Sequence, residues 1–193
     1  MFFTNGSDIE IKPVSKENWG DFENFFASNG RLNHCWCMAW RMTKEELKTN
    51  TAECRKAFIK KRVWAGIPIG ILAYFGGRPV AWCSIAPRET HQGLKGDDSI
   101  KNVWSITCFY IVREFRRKGF VHLLIDSAKA YAMDSGAKFL EAYPVDPDSP
   151  SYRFMGFVST FIKKGFRYVK DAGTRRHVMV LSCDCENSGL RGI

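Results

Sequence analysis

The 193-residue sequence predicts an α/β domain in which helices flank a mixed, mostly antiparallel sheet. Short runs rich in β-branched and aromatic residues alternate with longer segments whose apolar residues recur at helical spacing. Residues 69–75 and 80–85 are two such short runs joined by Gly-Gly-Arg-Pro, which predicts an antiparallel hairpin. The predicted order is strand, two helices, hairpin, strand, helix, strand, helix and two strands, and the length suits one domain over residues 1–193.

The N-terminal part of the sequence predicts one strand followed by a helix. Alternation at residues 9–11 predicts a strand that ends at Pro13. Residues 18–28 place four aromatic side chains on one side of a predicted helix, which Asn29-Gly30 ends. A segment rich in aromatic residues and cysteine, residues 34–41, follows this helix.

A second helix is predicted from Thr43 to Trp64. Thr43 and Glu46 have the spacing of a capping box, in which each residue bonds to the backbone amide of the other. Gly66 follows the predicted end of the helix. The predicted buried face consists of Leu47, Thr51, Cys54 and Phe58.

The C-terminal part predicts alternating strands and helices. A polar, glycine-containing stretch over residues 87–101 predicts a loop. Gly136 and Gly165 are expected to end the two predicted helices of this part. The predicted elements are a strand at 103–112, a helix at 118–135, a strand at 138–145, a helix at 152–164, and strands at 166–169 and 177–181.

Composition excludes some classes of protein and leaves others open. Hydrophobic residues make up 45% of the sequence, which argues against a disordered chain, and no apolar run is long enough for a membrane span. Seven cysteines, an odd number, without a secretory pattern at the start favour reduced thiols and a cytoplasmic location. The formal net charge of +9 fits either a nucleic-acid-binding protein or one that holds a polyphosphate ligand.

The turn at residues 116–121 is the strongest candidate for such a ligand. It lies between a predicted strand and a predicted helix, and the first amides of a helix have no partner within the helix. These amides and the positive end of the helix dipole favour a phosphate, and three consecutive cations add attraction. Gly119 leaves room for the ligand to approach the backbone.

This turn and the elements around it resemble the acetyl-CoA-binding motif of the GNAT acyltransferase superfamily. The motif is Arg/Gln-x-x-Gly-x-Gly/Ala, and it aligns here with Arg116, Gly119 and Val121. Residues 152–166 resemble the last helix of the superfamily and its Gly-Phe ending, so the resemblance covers roughly residues 69–181. The segment Cys-Trp-Cys-Met-Ala-Trp-Arg at 35–41 resembles one found in a group of uncharacterised bacterial GNAT proteins.

The resemblance implies where acetyl-CoA would bind. The strand end would offer backbone groups to the pantetheine arm, and the turn would hold the pyrophosphate through its amides. Residues 69–181 would then form the acetyl-CoA-binding core, with acetyl-CoA as a co-substrate and no metal. The implied cofactor-binding residues are Phe109, Tyr110, Ile111, Arg116, Arg117, Lys118, Gly119, Phe120 and Val121.

Acetyl transfer to an amine requires a base for the amine and an acid for the departing thiolate. The resemblance places Phe161 where a tyrosine often acts as the acid, and phenylalanine cannot donate a proton. Among the remaining candidates, Glu141 is the first choice for the base, and Tyr152 could supply a hydroxyl. The alternative interpretations are an ordinary carboxylate at a strand edge and an ordinary surface tyrosine, and Cys108 is interpreted as a buried structural cysteine.

The N-terminal residues 1–66 are expected to shape the acceptor site. Trp36 and Trp40 would line it, and Arg41 would meet an acidic group of the acceptor. The pairs Cys35-x-Cys37 and Cys183-x-Cys185 supply four thiols that could bind zinc. However, one intervening residue is a tight spacing for two zinc ligands, and no metal is expected. The first pair is interpreted as an apolar lining and the second as two exposed thiols.

The leading hypothesis is an acetyltransferase that moves the acetyl group of acetyl-CoA to a primary amine by direct attack in a ternary complex. The acceptor would be a small molecule or a peptide. A non-catalytic CoA-binding protein of the same fold is the first alternative, and a nucleic-acid-binding protein is the second. No membrane partner is expected, and the aromatic-rich N-terminal half leaves room for a homodimer.

Overall fold

A computed structural model describes residues 8–30 and 32–183 of the chain. Within this part, seven strands form one sheet in the order β1-β2-β3-β4-β5-β7-β6. All neighbouring strands are antiparallel except β4 and β5, which are parallel. The strands are β1 Ile9–Pro13, β2 Ile71–Phe75, β3 Arg78–Pro87, β4 Val103–Ile111, β5 Phe139–Ala142, β6 Arg167–Asp171 and β7 His177–Ser182.

Helices cover both faces of this sheet. The helices are α1 Trp19–Ser28, α2 Leu32–Cys35, α3 Ala52–Trp64, α4 Phe120–Asp134 and α5 Val158–Ile162. Successive side chains of β2 point to opposite faces, as the period of a strand requires. Ile71 and Ala73 join the apolar cluster that contains α4, whereas Leu72 and Tyr74 join the cluster that contains α1 and α3. The fold is therefore the predicted α/β arrangement with a mixed, mostly antiparallel sheet.

The helix predicted from Thr43 to Trp64 is two separate elements. The capping box forms, since the amide of Glu46 bonds to Thr43 Oγ1 at 3.2 Å and the amide of Thr43 to Glu46 Oε2 at 3.0 Å. It opens only a short 3-10 turn, Glu46–Thr49, and α3 starts with Thr51 as its own N-cap. The predicted buried face was also wrong: Leu47 is 51% exposed, and Ile59 and Val63 are the buried residues of α3.

The helix predicted at 152–164 is also interrupted. A 3-10 turn spans Arg153–Met155, and the helix α5 begins only at Val158. Gly156 separates the two with a φ of +88°, a left-handed conformation that a helix does not contain. A Cβ atom at Gly156 would lie 2.9 Å from Cε2 of Phe161, so this break brings the turn close against the sheet core.

No helix in residues 8–30 and 32–183 has the length and apolar character of a membrane span. The longest helix in these residues is α4, which has 15 residues and packs against the sheet.

Candidate active site

The sheet opens between β4 and β5. These parallel strands pair only from Val103 with Phe139 to Ile106 with Ala142. Beyond this point Val145 forms bridges to Phe157 and Arg176 instead of to β4. The second half of β4 keeps β3 as its neighbour, and no strand of residues 8–30 and 32–183 lies on its other side, so an extended ligand can pair with the backbone there.

A β-bulge lies in β4 where the opening begins. Ser84 pairs with Cys108 while Ile85 pairs with Ile106, which leaves Thr107 as the extra residue. Such a bulge bends the strand and re-aims the peptide groups that follow it. The Oγ atoms of Thr107 and Ser84 are 2.8 Å apart and hydrogen-bonded, which anchors the bulge to β3.

The basic turn connects the end of β4 to the start of α4. Arg117 and Gly119 both have left-handed backbone conformations, with φ values of +61° and +83°. Backbone conformations of this kind at the start of a helix can turn successive amides toward one side, an arrangement suited to an anion. A Cβ atom at Gly119 would have no heavy atom within 4 Å, so the space in front of the turn is open.

The side chains of the turn have different roles from one another. The Nε atom of Arg116 donates to the carbonyl of Ile111 at 2.9 Å, so this side chain braces the strand end. Phe120 is buried in the core, and Val121 packs partly against it. The groups of the turn that remain available to a ligand are therefore its backbone amides and the exposed cations of Arg117 and Lys118.

A cavity of about 430 Å³ lies beside the bulge, between β4 and the segment that contains α2. Two of the three sequence candidates at the end of the strand, Phe109 and Tyr110, lie on its wall. The lining residues are Leu32, Cys35, Cys37, Ala39, Trp40, Thr107, Cys108, Phe109, Tyr110 and Phe154. A second depression of about 490 Å³ on the other side of Tyr110 is lined by residues of α1 and by Arg116.

Only one of the three predicted acceptor-binding residues reaches this cavity. Trp40 lines it, whereas Trp36 is 4% exposed and stacks on Phe26 with a centroid distance of 5.5 Å. Arg41 is 1% exposed and donates to Ser84 Oγ at 3.1 Å and to the carbonyl of Ile69 at 2.8 Å. The expectation that Arg41 meets an acceptor is therefore corrected, because its guanidinium is enclosed between the segment and the sheet.

The structure also argues against Glu141 as the base. Its carboxylate is fully buried and paired with the guanidinium of Arg88. It also accepts hydrogen bonds from Ser105 Oγ and from the hydroxyl of Tyr143, both at 2.6 Å. Gly96 packs directly against the carboxylate, and Glu141 is not among the residues that line the cavity. These contacts fit a structural role for Glu141 in the sheet.

Tyr152 lies beside the cavity rather than in a helix. It precedes the 3-10 turn in a left-handed conformation, with a φ of +60°. Its ring centroid is 6.2 Å from that of Trp40, and the guanidinium of Arg176 lies over both rings, at 5.2 Å and 4.3 Å. Tyr152 therefore contacts the cavity through Trp40.

Three cysteines line the cavity. Cys35 and Cys37 do so as the sequence interpretation expected, whereas Cys108, interpreted as a structural cysteine, lines the cavity as well. In the described part of the chain, no three His, Cys, Asp or Glu side chains group as metal ligands. Cys183 is buried rather than exposed, and Cys185 lies outside the described residues.

Comparison with known proteins gives one family and many similar folds. The family model described as "Acetyltransferase (GNAT) family" matches residues 32–157, more than half of the chain. No curated protein matches the chain. Solved structures match it over nearly their whole length, at identities that show the fold alone.

Three of these structures illustrate the match. A ribosomal-protein-S5-alanine acetyltransferase from Vibrio fischeri has a TM-score of 0.59 and 9% identity, covering 96% of this chain and 98% of its own. The putative acetyltransferase yncA from Salmonella typhimurium, solved with acetyl-CoA, has a TM-score of 0.56 and 15% identity, covering 94% and 98%. The PaiA N-acetyltransferase from Thermoplasma acidophilum, solved with coenzyme A, has a TM-score of 0.53 and 15% identity, covering 90% and 98%.

The matched residues include the cavity segment, the opening between β4 and β5 and the basic turn. The chain belongs to the GNAT acetyltransferase family.

Proposed function

We propose that the protein transfers the acetyl group of acetyl-CoA to a primary amine by direct attack in a ternary complex. The observation that carries the proposal is the opening of the sheet directly beside the basic turn. In this proposal, the backbone of residues 109–111 pairs with the pantetheine arm, and the amides of residues 116–121 hold the pyrophosphate. The neighbours solved with CoA or acetyl-CoA support this assignment.

The acceptor amine enters the cavity between β4 and the N-terminal segment. Its wall is mostly apolar and includes the aromatic side chains of Trp40 and Phe154. This lining fits an amine on an apolar or aromatic carrier, whether a small molecule or a peptide. Tyr152, in contact with Trp40, is the candidate hydroxyl from this side.

In this proposal, the site promotes amide formation by positioning the amine next to acetyl-CoA and through a backbone group at the bulge. The amine nitrogen forms the bond to the carbonyl carbon, and the bond from that carbon to the sulfur of CoA breaks. A backbone N–H after Thr107 is suited to stabilise the charge that develops on the carbonyl oxygen. Holding both substrates in one cleft supplies much of the remaining acceleration.

A second candidate is a CoA-binding protein without transferase activity. The favouring observation is that no carboxylate or imidazole lines the cavity of the described structure. Turnover separates the two candidates: the protein is incubated with acetyl-CoA and a panel of amines, and the released thiol of CoA is measured. Acetylation of at least one amine supports the transferase, whereas binding of CoA without any turnover supports the second candidate.

A further inference from the structure

Arg41 is a buried cation without a carboxylate partner. Its guanidinium is 1% exposed, and its bonds go to a hydroxyl and a carbonyl, while Nε has no partner within the described structure. A buried charge is costly unless an opposite charge lies close to it. The cysteines Cys35, Cys37 and Cys108 are acidic groups that favour the charge of Arg41, and Cys37 has the strongest effect among them.

Cys37 is held so that its sulfur accepts hydrogen bonds. The Nε1 atom of Trp82 donates to Cys37 Sγ at 3.0 Å, and an indole N–H can only donate. The backbone places the sulfur there at a cost, because Trp36 and Cys37 are consecutive left-handed residues, with φ values of +47° and +52°. Strain of this kind in residues other than glycine is concentrated at functional sites.

Cys108 has the opposite environment. Its thiol donates toward the carbonyl of Phe109 at 3.8 Å, and it lines the same cavity as Cys37. The interaction with Cys37, followed by burial, raises the pKa of Cys108, whereas the interaction with Cys108 and the nearby Arg41 and Trp82 lower the pKa of Cys37 against the opposing effect of burial. Two titratable groups whose environments push their pKa values apart are suited to act as acid and base.

The other titratable groups around the pair do not compete with it. Burial, followed by the charge of Cys37, raises the pKa values of Cys35 and Cys83, so both remain neutral thiols at physiological pH. His91 is buried beside Arg41, and its pKa lies well below the ordinary value because of burial and that positive charge. Cys37 is therefore the one anionic candidate among these groups.

We propose that Cys37, as a thiolate, takes the proton from the attacking amine and that Cys108, as a thiol, returns a proton to the departing thiolate of CoA. The inference rests on the proposed transferase function. After one turnover Cys37 is a thiol and Cys108 is a thiolate, and one proton passes from Cys37 to Cys108, directly or through solvent, before the next turnover. The products are the amide and free CoA, and the pair returns to its starting state.

The first test uses kinetics with an amine from the panel. We expect Cys37→Ser to lower kcat about 100-fold or more, the range of general acid–base catalysis, and to remove the acidic limb of the pH–kcat profile. Acetyl-CoA binding, followed by calorimetry, should stay within about threefold, which separates a catalytic loss from misfolding. Cys108→Ser should lower kcat at least about tenfold.

Two controls match these variants. Cys54 is a half-buried cysteine of α3 outside the cavity, and Cys54→Ser should leave kcat unchanged. Tyr152→Phe tests the rival hydroxyl, and loss of a limb of the pH–kcat profile in this variant but not in Cys37→Ser would overturn the inference. The inference is overturned if Cys37→Ser keeps more than half of the wild-type kcat with the wild-type pH profile.

The second test needs no acceptor. The wild-type protein is treated with iodoacetamide between pH 6 and 9, and alkylation of Cys37 is followed by peptide mass spectrometry. A thiolate reacts at a rate nearly independent of pH above about 7, whereas an ordinary thiol reacts about tenfold faster per pH unit up to its pKa. A rate for Cys37 that rises about tenfold per pH unit would overturn this inference and leave the proposed function standing. If the protein neither binds acetyl-CoA nor acetylates any amine, the proposed function itself fails.

Discussion

At the scale of single residues, burial decides which polar groups serve chemistry and which serve the fold. Glu141 and Cys37 are both buried and both lie near the opening of the sheet. Glu141 accepts bonds from Arg88, Ser105 and Tyr143 and faces a covering loop, whereas Cys37 lines the cavity. The cavity therefore presents cysteine side chains to a ligand, whereas the carboxylate of Glu141 is enclosed by its own partners.

Glu141→Gln is expected to destabilise the protein without acting as the loss of a base. Removing one member of a buried ion pair costs about 3–5 kcal/mol, because the other charge stays buried. Chemical denaturation should show this loss, and kcat per folded molecule should fall less than about tenfold, short of the general-base range.

The matched control is Glu114→Gln. Glu114 pairs with Arg78 at 3.1 Å on the surface, with both side chains more than 60% exposed. Exposed pairs of this kind contribute little to stability, so this variant should be close to wild type. If Glu141→Gln left stability unchanged and lowered kcat about 100-fold or more, Glu141 would be the base after all.

At this scale, only some of the residues of the candidate site could be predicted from the sequence. Phe109 and Tyr110 could be predicted to border it, because they belong to one continuous strand that runs into the basic turn. The contact between Trp82 and Cys37 joins residues 45 positions apart, on a strand and a non-helical segment, and no local pattern reports such a pair. The two consecutive left-handed residues Trp36 and Cys37 also had no sequence signal, since neither is glycine or asparagine.

At the scale of elements, the strands followed their hydrophobic pattern and the helices were misjudged at their breaks. Alternating or continuous apolar runs are sufficient to place the seven strands within a few residues. Gly156 lay inside a predicted helix, and a glycine within a helical pattern is a warning of a break. The second break, at Asn50-Thr51, follows from competition between two capping residues, Thr43 and Thr51.

Thr51→Ala tests the observed start of α3. Thr51 Oγ1 accepts from the amide of Cys54 at 3.2 Å, and loss of such a cap costs about 1 kcal/mol. Urea denaturation should show this decrease in the free energy of unfolding. Thr49→Ala is the matched control, because this exposed threonine lies at the end of the 3-10 turn and caps no helix. Equal effects of the two variants would contradict the assignment of Thr51 as the cap.

The hairpin of β6 and β7 is expected to depend on pH through His177. Its Nε2 lies 2.9 Å from Asp146 Oδ2 and its Nδ1 3.0 Å from Asp171 Oδ1. Partial burial lowers the pKa of His177, but the bonds to the two carboxylates outweigh it, and the net pKa is raised. The stabilisation is therefore complete below the unfolded pKa, about 6.5, and is lost as pH rises through the folded value.

His177→Gln should accordingly cost most near pH 6 and least near pH 9. The cost is expected to stay below about 1 kcal/mol, because both carboxylates are exposed. Urea denaturation of both proteins at the two pH values measures it. A cost that grows with pH would contradict the charged pair.

At the scale of the whole molecule, the two faces of the sheet carry different parts of the proposed site. One face carries α4 and the basic turn, and the other carries α1, α2 and α3 with the segment that closes the cavity. We propose that residues 69–181 hold acetyl-CoA and that residues 1–66 shape the acceptor site. The opening between β4 and β5 joins the two, so a ligand along β4 would present its end to the cavity.

The most direct test of the central claim is calorimetry with acetyl-CoA and CoA on the wild type, Gly119→Ala and Gly119→Glu. Both variants place a side chain at a φ of +83°, so Gly119→Ala reports the strain alone. The account predicts micromolar binding to the wild type, a loss of at most about tenfold for Gly119→Ala, and a loss of about 100-fold or more for Gly119→Glu, whose charge opposes the pyrophosphate. Absence of binding to the wild type, or equal binding by the two variants, would contradict it.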